Sequence, residues 1–210
     1  MTEKVIIIGS GGHAKVLIDI IQKSKKYDIA GYVDFEDHGK IFGIKYLGAD
    51  NCLRDIYNGG VNKAVLGIGQ VNVTKKRDEI VGRLKRLGFF FPAIISRNAI
   101  INQEVSIGEG VQILDGVVVN CSSIIGDFAI INTKATIEHD CKIGNFCHIG
   151  TGAILSGGVA IGDFSMIGSN AVVVQYKKIV SECFIGSGGV VINDMSEKGI
   201  YVGNPVRKIK

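Results

Sequence analysis

Residues 129–161 read AIINTK-ATIEHD-CKIGNF-CHIGTG-AILSGG-VAI, and the third residue of every group is Ile or Leu. The same six-residue spacing places Ile, Leu or Val at every step from Ile95 to Val191. The residue two places before each aliphatic is small or β-branched, except at Lys177. An α-helix cannot bury this pattern, because 3.6 residues per turn would spread the aliphatics around its axis. The repeat predicts a parallel β-solenoid of 18-residue triangular coils, stacked about 4.8 Å apart.

The remaining positions of the repeat give two further predictions. Gly or Asn often follows the aliphatic residue, and we expect those residues to form left-handed corners. Three cysteines, Cys141, Cys147 and Cys183, fall on the small inward position and are predicted to be core residues. Neither Cys52 nor Cys121 is predicted to be a nucleophile.

The first ninety residues follow a different pattern. Val5–Ile8 is a continuous aliphatic run typical of a buried parallel strand, and GSGGHA follows at residues 9–14. A helical pattern, a second strand over residues 29–33 and Asp34 come next. This order is that of a nucleotide-binding βαβ unit, in which glycines admit phosphate at a helix N-terminus and an acid binds the ribose. We also expect a third strand over residues 64–69 and a helix over residues 74–87.

Composition excludes several classes of protein. The 210 residues are 46% hydrophobic, with 29 Gly, 5 Cys, mean hydropathy +0.28 and a net charge of +4. This is too apolar for a disordered chain, and the glycines lack the collagen period. No apolar run is long enough to span a bilayer, and no secretory signal or basic stripe with aromatics is present. We therefore expect a cytoplasmic protein that does not bind nucleic acid.

Two histidines interrupt the repeat. His139 lies between Glu138 and Asp140, and His148 lies nine residues further, which is half a coil. An imidazole beside a carboxylate can act as a general base near neutral pH. A surface histidine in a polar corner is the alternative reading. The two histidines are not expected to touch within one chain.

The βαβ pattern, the unbroken repeat and the segment IEHDCKIGNFCH at residues 137–148 together resemble the PglD/NeuD-type bacterial sugar acyltransferases. The ending GIYVGNPVR at residues 199–207 is similar to that of hexapeptide-repeat acyltransferases. The resemblance implies an α/β fold with a Rossmann-like nucleotide-sugar-binding domain (1–92), followed by a left-handed parallel β-helix (93–194) and a C-terminal tail (195–210). The left hand comes from the resemblance alone, since right-handed crossovers are the rule.

The resemblance also implies roles for individual residues. His139 matches the catalytic base, and Asp140 matches the carboxylate that raises its basicity. Residues implied in acetyl-CoA binding are His148, Gly157, Ser169 and Ser187. Residues implied in nucleotide-sugar binding are Gly11, Gly12, His13 and Asp34. One position departs from the family, because Thr74 stands where relatives often have Arg, and Lys75 is the available substitute.

The implied activity is acetyl-CoA-dependent N-acetylation of a UDP- or dTDP-linked 4-amino-deoxy sugar, without a metal, in a homotrimer whose active sites lie between subunits. O-acetylation of a sialic acid and a non-catalytic nucleotide-sugar-binding scaffold remain alternatives. A γ-type carbonic anhydrase would need three histidine ligands on zinc, whereas the repeat holds two histidines.

Overall fold

The computed structural model describes residues 2–210, and the chain divides into two compact units. The first unit comprises the chain up to Gly69 together with Lys75–Arg97, and the second comprises Gln70–Thr74 and Asn98–Lys210. None of the helices within residues 2–210 is both long and apolar enough to cross a membrane.

The first unit is a parallel sheet with helices. Its elements are β1 (Glu3–Ile8), α1 (Gly12–Ser24), β2 (Tyr27–Val33), β3 (Tyr46–Gly48), a 3₁₀ turn (Asp50–Cys52), α2 (Leu53–Asn58), β4 (Ala64–Leu66), α3 (Lys76–Arg86) and β5 (Ile94–Ile95). The four-stranded sheet has the order β3-β2-β1-β4. The predicted strands and helices of this unit are present, with the third strand shorter than expected, whereas β3 and α2 have no clear signal in the sequence.

The core of the first unit explains why β1 is so apolar. Val5, Ile6 and Ile7 have no exposed surface, because β1 is central in the sheet and both of its faces are covered. Helix α1 buries Ala14, Leu17, Ile18, Ile20 and Ile21 at helical spacing. Val16, which also fits the helical pattern in the sequence, is 42% exposed.

The second unit is a parallel β-helix with three sheets. Face 1 consists of β7 (Ser106–Ile107), β10 (Ile124–Ile125), β13 (Lys142–Ile143), β16 (Ala160–Ile161) and β19 (Lys178–Ile179). Face 2 includes β8 (Gln112–Ile113), β11 (Ile130–Ile131), β14 (His148–Ile149), β17 (Met166–Ile167), β20 (Cys183–Ile185), β22 (Gly199–Gly203) and β23 (Val206–Lys208). Face 3 consists of β6 (Ile100–Ile101), β9 (Val118–Val119), β12 (Thr136–Ile137), β15 (Ile154–Leu155), β18 (Val172–Val173) and β21 (Val190–Val191).

The register confirms the 18-residue coil. Ile137 pairs with Leu155, and Ile143 pairs with Ile161, each one coil further along the chain. From Ile113 to Val191 the aliphatic positions of the repeat are buried, as predicted for side chains that fill the axis. Burying each such side chain stabilises the fold by roughly 1.5–3 kcal/mol. The chain reverses direction between the last two strands. β22 is parallel to β20, whereas β23 is antiparallel to β22.

Three corners join the faces. Corner A lies between faces 3 and 1 and includes residues 139–140, 157–158 and 175–176. Corner B lies between faces 1 and 2 and includes residues 127–128, 145–146 and 163–164. Corner C lies between faces 2 and 3 and includes residues 151–152, 169–170 and 187–188.

The prediction that Gly or Asn directly after the aliphatic residue adopts the left-handed conformation was wrong. The positive φ angles occur two residues later, for example at Asp140 (φ +59°), Gly152 (+66°) and Tyr176 (+59°). The glycines have another function, because a Cβ at Gly126 would lie 2.7 Å from the carbonyl carbon of Gly144. They allow consecutive coils to approach closely.

The cysteine prediction is confirmed, since Cys141, Cys147 and Cys183 are all buried. Burial raises the pKa of the Cys141 thiol to about 11 and that of the Cys147 thiol to about 12. These thiols stay protonated at neutral pH and act as core residues.

Candidate active site

The His139 side chain lies on corner A and is paired with the carboxylate of the next residue. Its Nδ1 atom is 2.8 Å from Asp140 Oδ2, and the imidazole is 48% exposed. The Asp140 backbone is left-handed, and its N–H donates to the carbonyl oxygen of Cys121 one coil earlier. Because Asp140 holds Nδ1, the opposite nitrogen, Nε2, is left for chemistry.

The next coil provides a flat surface for the imidazole ring. A Cβ at Gly157 would lie 2.5 Å from His139 Nε2, so only glycine leaves space for the ring there. The Gly158 N–H donates to the His139 carbonyl oxygen at 2.8 Å and fixes the two coils together. Among residues 2–210 the Gly157 N–H has no hydrogen-bond acceptor. A free donor therefore lies on the residue that contacts the imidazole.

The second acid beside His139 points elsewhere. Glu138 Oε2 accepts a hydrogen bond from Asn120 Nδ2 at 2.9 Å, and Asn120 Oδ1 accepts one from Asn102 Nδ2 at 2.6 Å. The three side chains come from three consecutive coils, and their hydrogen bonds form a row along the solenoid. The geometry thus pairs Asp140, and not Glu138, with the imidazole of His139.

His148 lies on β14 of face 2 and is 8% exposed. Its Nδ1–H donates to the carbonyl oxygen of Gln70 at 2.7 Å, and Asn132 Nδ2 donates to its Nε2 at 3.0 Å. Face 2 does not border corner A. Within one chain the structure therefore separates His148 from His139, and sequence reasoning did not identify Gln70 or Asn132 as its partners.

The serines implied in coenzyme binding lie at a third place on the solenoid, apart from His139 on corner A and His148 on face 2. Ser169 and Ser187 are both exposed on corner C, one coil apart, and the Gly188 N–H donates to the Ser169 carbonyl oxygen at 2.8 Å. Corner C borders faces 2 and 3, so one chain does not bring these serines to His139 on corner A.

In the first unit the glycine-rich turn has the form expected for phosphate binding. Gly11 is the N-cap of α1 and Gly12 is its first residue, and a Cβ at either would meet nothing within 4 Å. Backbone N–H groups at this helix N-terminus are thus open to a ligand. Ala14 packs close to Gly67, where an added Cβ would lie 2.8 Å from the Ala14 Cβ. His13 is half-buried in the first turn of α1.

Asp34 follows β2 at the carboxyl edge of the sheet. Its Oδ2 accepts a hydrogen bond from Ser10 Oγ, and its Oδ1 accepts one from the Phe35 N–H at 2.6 Å. Sequence reasoning gave no role to Ser10, whose contact with Asp34 joins residues 24 apart. The turn and the acid are thereby held together at the edge where ligands bind in open α/β sheets.

A cavity of about 370 Å³ lies at the same edge. Its lining combines aliphatic residues with charged ones, including Ile8, Ile68, Asp34 and Lys76. Two more lining residues, Asp50 and Arg83, form an ion pair with 2.6 Å between Oδ2 and Nη1. Lys75, the proposed substitute for the family arginine, is the N-cap of α3 and does not line this cavity.

No group of three or more His, Cys, Asp or Glu side chains suited to a metal ion occurs in the part of the chain that the structure describes. The described candidate residues form two groups: an imidazole–carboxylate pair on the solenoid of the second unit, and a glycine turn with an acid on the sheet of the first unit.

Comparison with known proteins finds similarity over the whole chain. Residues 4–84 match the profile of the PglD N-terminal domain, and residues 140–175 match that of the bacterial transferase hexapeptide, six repeats. No curated protein matches the chain by sequence.

Solved structures give closer matches. A histidine variant of perosamine N-acetyltransferase from Caulobacter crescentus, in complex with CoA and GDP-perosamine, has a TM-score of 0.94 and 32% identity, covering 100% of this chain and 98% of its own. The acetyltransferase domain of PglB from Neisseria gonorrhoeae FA1090, in complex with acetyl coenzyme A, has a TM-score of 0.92 and 30% identity, covering 100% of both chains. The predicted fold is confirmed, including the left hand of the β-helix.

Proposed function

Because the chain belongs to the PglD-type family of hexapeptide-repeat sugar acyltransferases, we propose that it transfers the acetyl group of acetyl-CoA to the amino group of a nucleotide-linked 4-amino-deoxy sugar. The observation that carries this proposal is the pairing of His139 Nδ1 with Asp140 Oδ2 on an exposed corner. The relatives named above, with CoA and GDP-perosamine or with acetyl coenzyme A bound, support the choice of substrates.

The proposed reaction is a direct transfer in a ternary complex. The sugar amine attacks the carbonyl carbon of the acetyl thioester while His139 Nε2 takes a proton from the nitrogen. A C–N bond forms, the C–S bond breaks, and the leaving coenzyme A thiolate takes up the proton from the His139 imidazolium, which restores the neutral base. Asp140 keeps Nδ1 protonated, so that Nε2 presents its lone pair, and it stabilises the imidazolium. General-base catalysis of this kind contributes about 10²- to 10⁴-fold.

Charge develops on the thioester oxygen during the attack. The Gly157 N–H, which has no acceptor within residues 2–210, is the donor that we assign to this oxygen. A fixed donor costs no reorganisation when the tetrahedral intermediate forms, and removing one such donor typically costs about 10²- to 10³-fold in kcat.

The first unit is proposed to bind the nucleotide part of the substrate. The diphosphate would meet the N–H groups at Gly11 and Gly12 next to His13, and Asp34 would accept hydrogen bonds from the ribose. The family resemblance implies a UDP- or dTDP-sugar, whereas the Caulobacter relative is in complex with GDP-perosamine. All three nucleotides therefore belong in the test.

Two chains are proposed to share each active site. His139 lies on corner A. In the same chain His148 lies on face 2, whereas Ser169 and Ser187 lie on corner C, and neither face 2 nor corner C adjoins corner A. In a homotrimer, corner A of one β-helix would face the acetyl-CoA residues of the next. Each trimer would then have three equivalent sites.

The test is a screen of UDP-, dTDP- and GDP-linked amino sugars with acetyl-CoA, in which thiol release measures transfer. The wild-type protein should release thiol with at least one amino sugar, and His139→Ala should lower kcat by about 10²-fold or more because the general base is lost. Thermal unfolding should show that the variant is folded.

A matched control is His38→Ala, which removes an exposed histidine of the first unit. Its kcat should equal that of the wild type. Acetyl transfer to a sialic acid hydroxyl but to no amino sugar, or full activity in His139→Ala, would contradict the proposal.

A further inference from the structure

The cavity at the carboxyl edge of the sheet in the first unit has apolar walls and one ion pair. Its volume is about 370 Å³, and its apolar lining includes Ile8, Ile68 and Phe35. Asp50 and Arg83 line the same cavity and pair with 2.6 Å between Oδ2 and Nη1. Apolar walls with a few placed polar groups suit a flat, partly polar ligand such as a nucleobase.

The ion pair lies close along the backbone to the acid that follows β2. The Asp34 N–H donates to the carbonyl oxygen of Gly48 at 3.3 Å, and Asp50 begins the 3₁₀ turn two residues later. Asp34, which we assign to the ribose, lines the cavity as well. In a nucleotide the base is bonded directly to the ribose, at a different carbon from the diphosphate. A nucleotide with its diphosphate at Gly11 therefore places its base in this cavity.

The pair presents its hydrogen-bonding groups in a definite order. Asp50 Oδ1 has no hydrogen-bond donor within residues 2–210, and Arg83 Nη1 lies beside the other oxygen, Oδ2. The side chains of Asp50 and Arg83 are 35% and 43% exposed, so a ligand can reach both. From Oδ1 to Oδ2 to the guanidinium, the order is acceptor, acceptor, donor.

From this order we infer that the cavity selects guanine as the base of the nucleotide-linked sugar, through the Asp50–Arg83 pair. This inference rests on the proposed binding of the nucleotide by the first unit. The Watson–Crick edge of guanine has two adjacent donors, N2–H and N1–H, followed by the acceptor O6. The Asp50 carboxylate accepts from both donors, and the Arg83 guanidinium donates to O6. Hydrogen bonds to charged groups such as these are stronger than those between neutral groups.

The other common bases match the pair less well. Uracil and thymine place one donor, N3–H, between two carbonyl oxygens, so one of these oxygens would face the carboxylate without a hydrogen bond. Cytosine and adenine each offer one amino group to the two oxygens of Asp50. A polar group that loses water on binding and finds no partner lowers the affinity. The cavity therefore points to a different base from the uracil or thymine that the family resemblance implies.

The experiment measures dissociation constants of nucleoside diphosphates for the full-length protein by isothermal titration calorimetry, and it needs no acetyl transfer. GDP should bind at least about tenfold more tightly than UDP, dTDP, CDP or ADP, because only guanine matches both side chains. Inosine diphosphate lacks the N2 amino group and should bind about tenfold more weakly than GDP.

Asp50→Asn replaces one of the two acceptors with a donor. The dissociation constant of GDP should rise about tenfold, and the difference between GDP and inosine diphosphate should disappear. The dissociation constant of UDP should stay within about twofold, which a loss of the fold would not allow. The matched control is Asp19→Asn, because Asp19 also pairs with a cation at 2.6 Å but lies on α1 and does not line the cavity. This control should change none of the constants.

Four results would overturn the inference. They are binding of UDP, dTDP, CDP or ADP as tight as that of GDP, equal binding of GDP and inosine diphosphate by the wild-type protein, an unchanged GDP constant in folded Asp50→Asn, and no binding of any nucleotide. Acetyl transfer to a UDP-sugar but not to a GDP-sugar would also contradict the assignment of guanine and leave the proposed function intact. Tight and selective GDP binding without acetyl transfer to any amino sugar would support the assignment of guanine, whereas the proposed function would fail.

Discussion

The residue after the proposed base is the one with the unusual backbone. Asp140 combines a left-handed conformation, which Asp and Asn tolerate better than most residues, with a carboxylate 2.8 Å from His139 Nδ1. Asp140→Asn preserves the size and the backbone preference but removes the charge. It should lower kcat by about 10- to 10²-fold, because an amide does not stabilise the imidazolium.

The measurement is kcat with saturating substrates. Asp163→Asn is the matched control, since Asp163 is a corner carboxylate on corner B whose oxygen accepts the Asn145 N–H at 2.7 Å, a bond that an amide oxygen keeps. This control should retain wild-type kcat. Equal losses in the two variants would show that corner carboxylates act through folding and not through His139.

The sequence alone predicted the residues that depend on local pattern. The solenoid followed from the six-residue period, and the pairing of His139 with Asp140 is between neighbours in the chain. The contacts that escaped prediction join distant positions, such as Ser10 with Asp34 and Gln70 with His148.

At the scale of the coil, the glycines after the aliphatic residues set the distance between strands. A Cβ at Gly144 would lie 2.7 Å from the Asp163 backbone nitrogen. Gly144→Ala should therefore destabilise the protein by about 1–3 kcal/mol, because coils with this overlap must separate. Urea unfolding measures the change in the free energy of unfolding.

Gly82→Ala is the control for that prediction. Gly82 lies inside α3, and the nearest atom to an added Cβ is 3.6 Å away. Alanine favours the helix by about 0.5–1 kcal/mol there, so the free energy of unfolding should stay equal or rise. An unchanged stability in Gly144→Ala would show that the coils tolerate a wider spacing.

At the scale of the whole molecule, the separation of His139 from His148 predicts complementation between chains. His139→Ala and His148→Ala should each be inactive alone, since each chain type lacks one member of every site. Co-expressed in equal amounts, they should regain about a quarter of wild-type activity, because a quarter of the seams would pair an intact His139 with an intact His148. The measurement is thiol release per chain, with the mass of the oligomer checked by size-exclusion chromatography.

A mixture as inactive as its components would contradict a site shared between chains. The control for expression level is co-expression of His139→Ala from two plasmids that carry different tags. This sample should show no activity. Activity in the mixture but not in this control would show that the active site is shared between chains and that the activity does not come from a larger amount of protein.

The hairpin formed by β22 and β23 has a consequence for self-association. A stack of parallel strands exposes backbone donors and acceptors on its last rung, and such an edge is a template for fibrils. On face 2 this rung is β22, and β23 covers it by running in the opposite direction. The outer strand carries the charged side chains of Arg207 and Lys208, and charged residues on an edge strand disfavour pairing with a second copy. The solenoid therefore ends in a charged fold-back that discourages end-to-end polymerisation along that sheet.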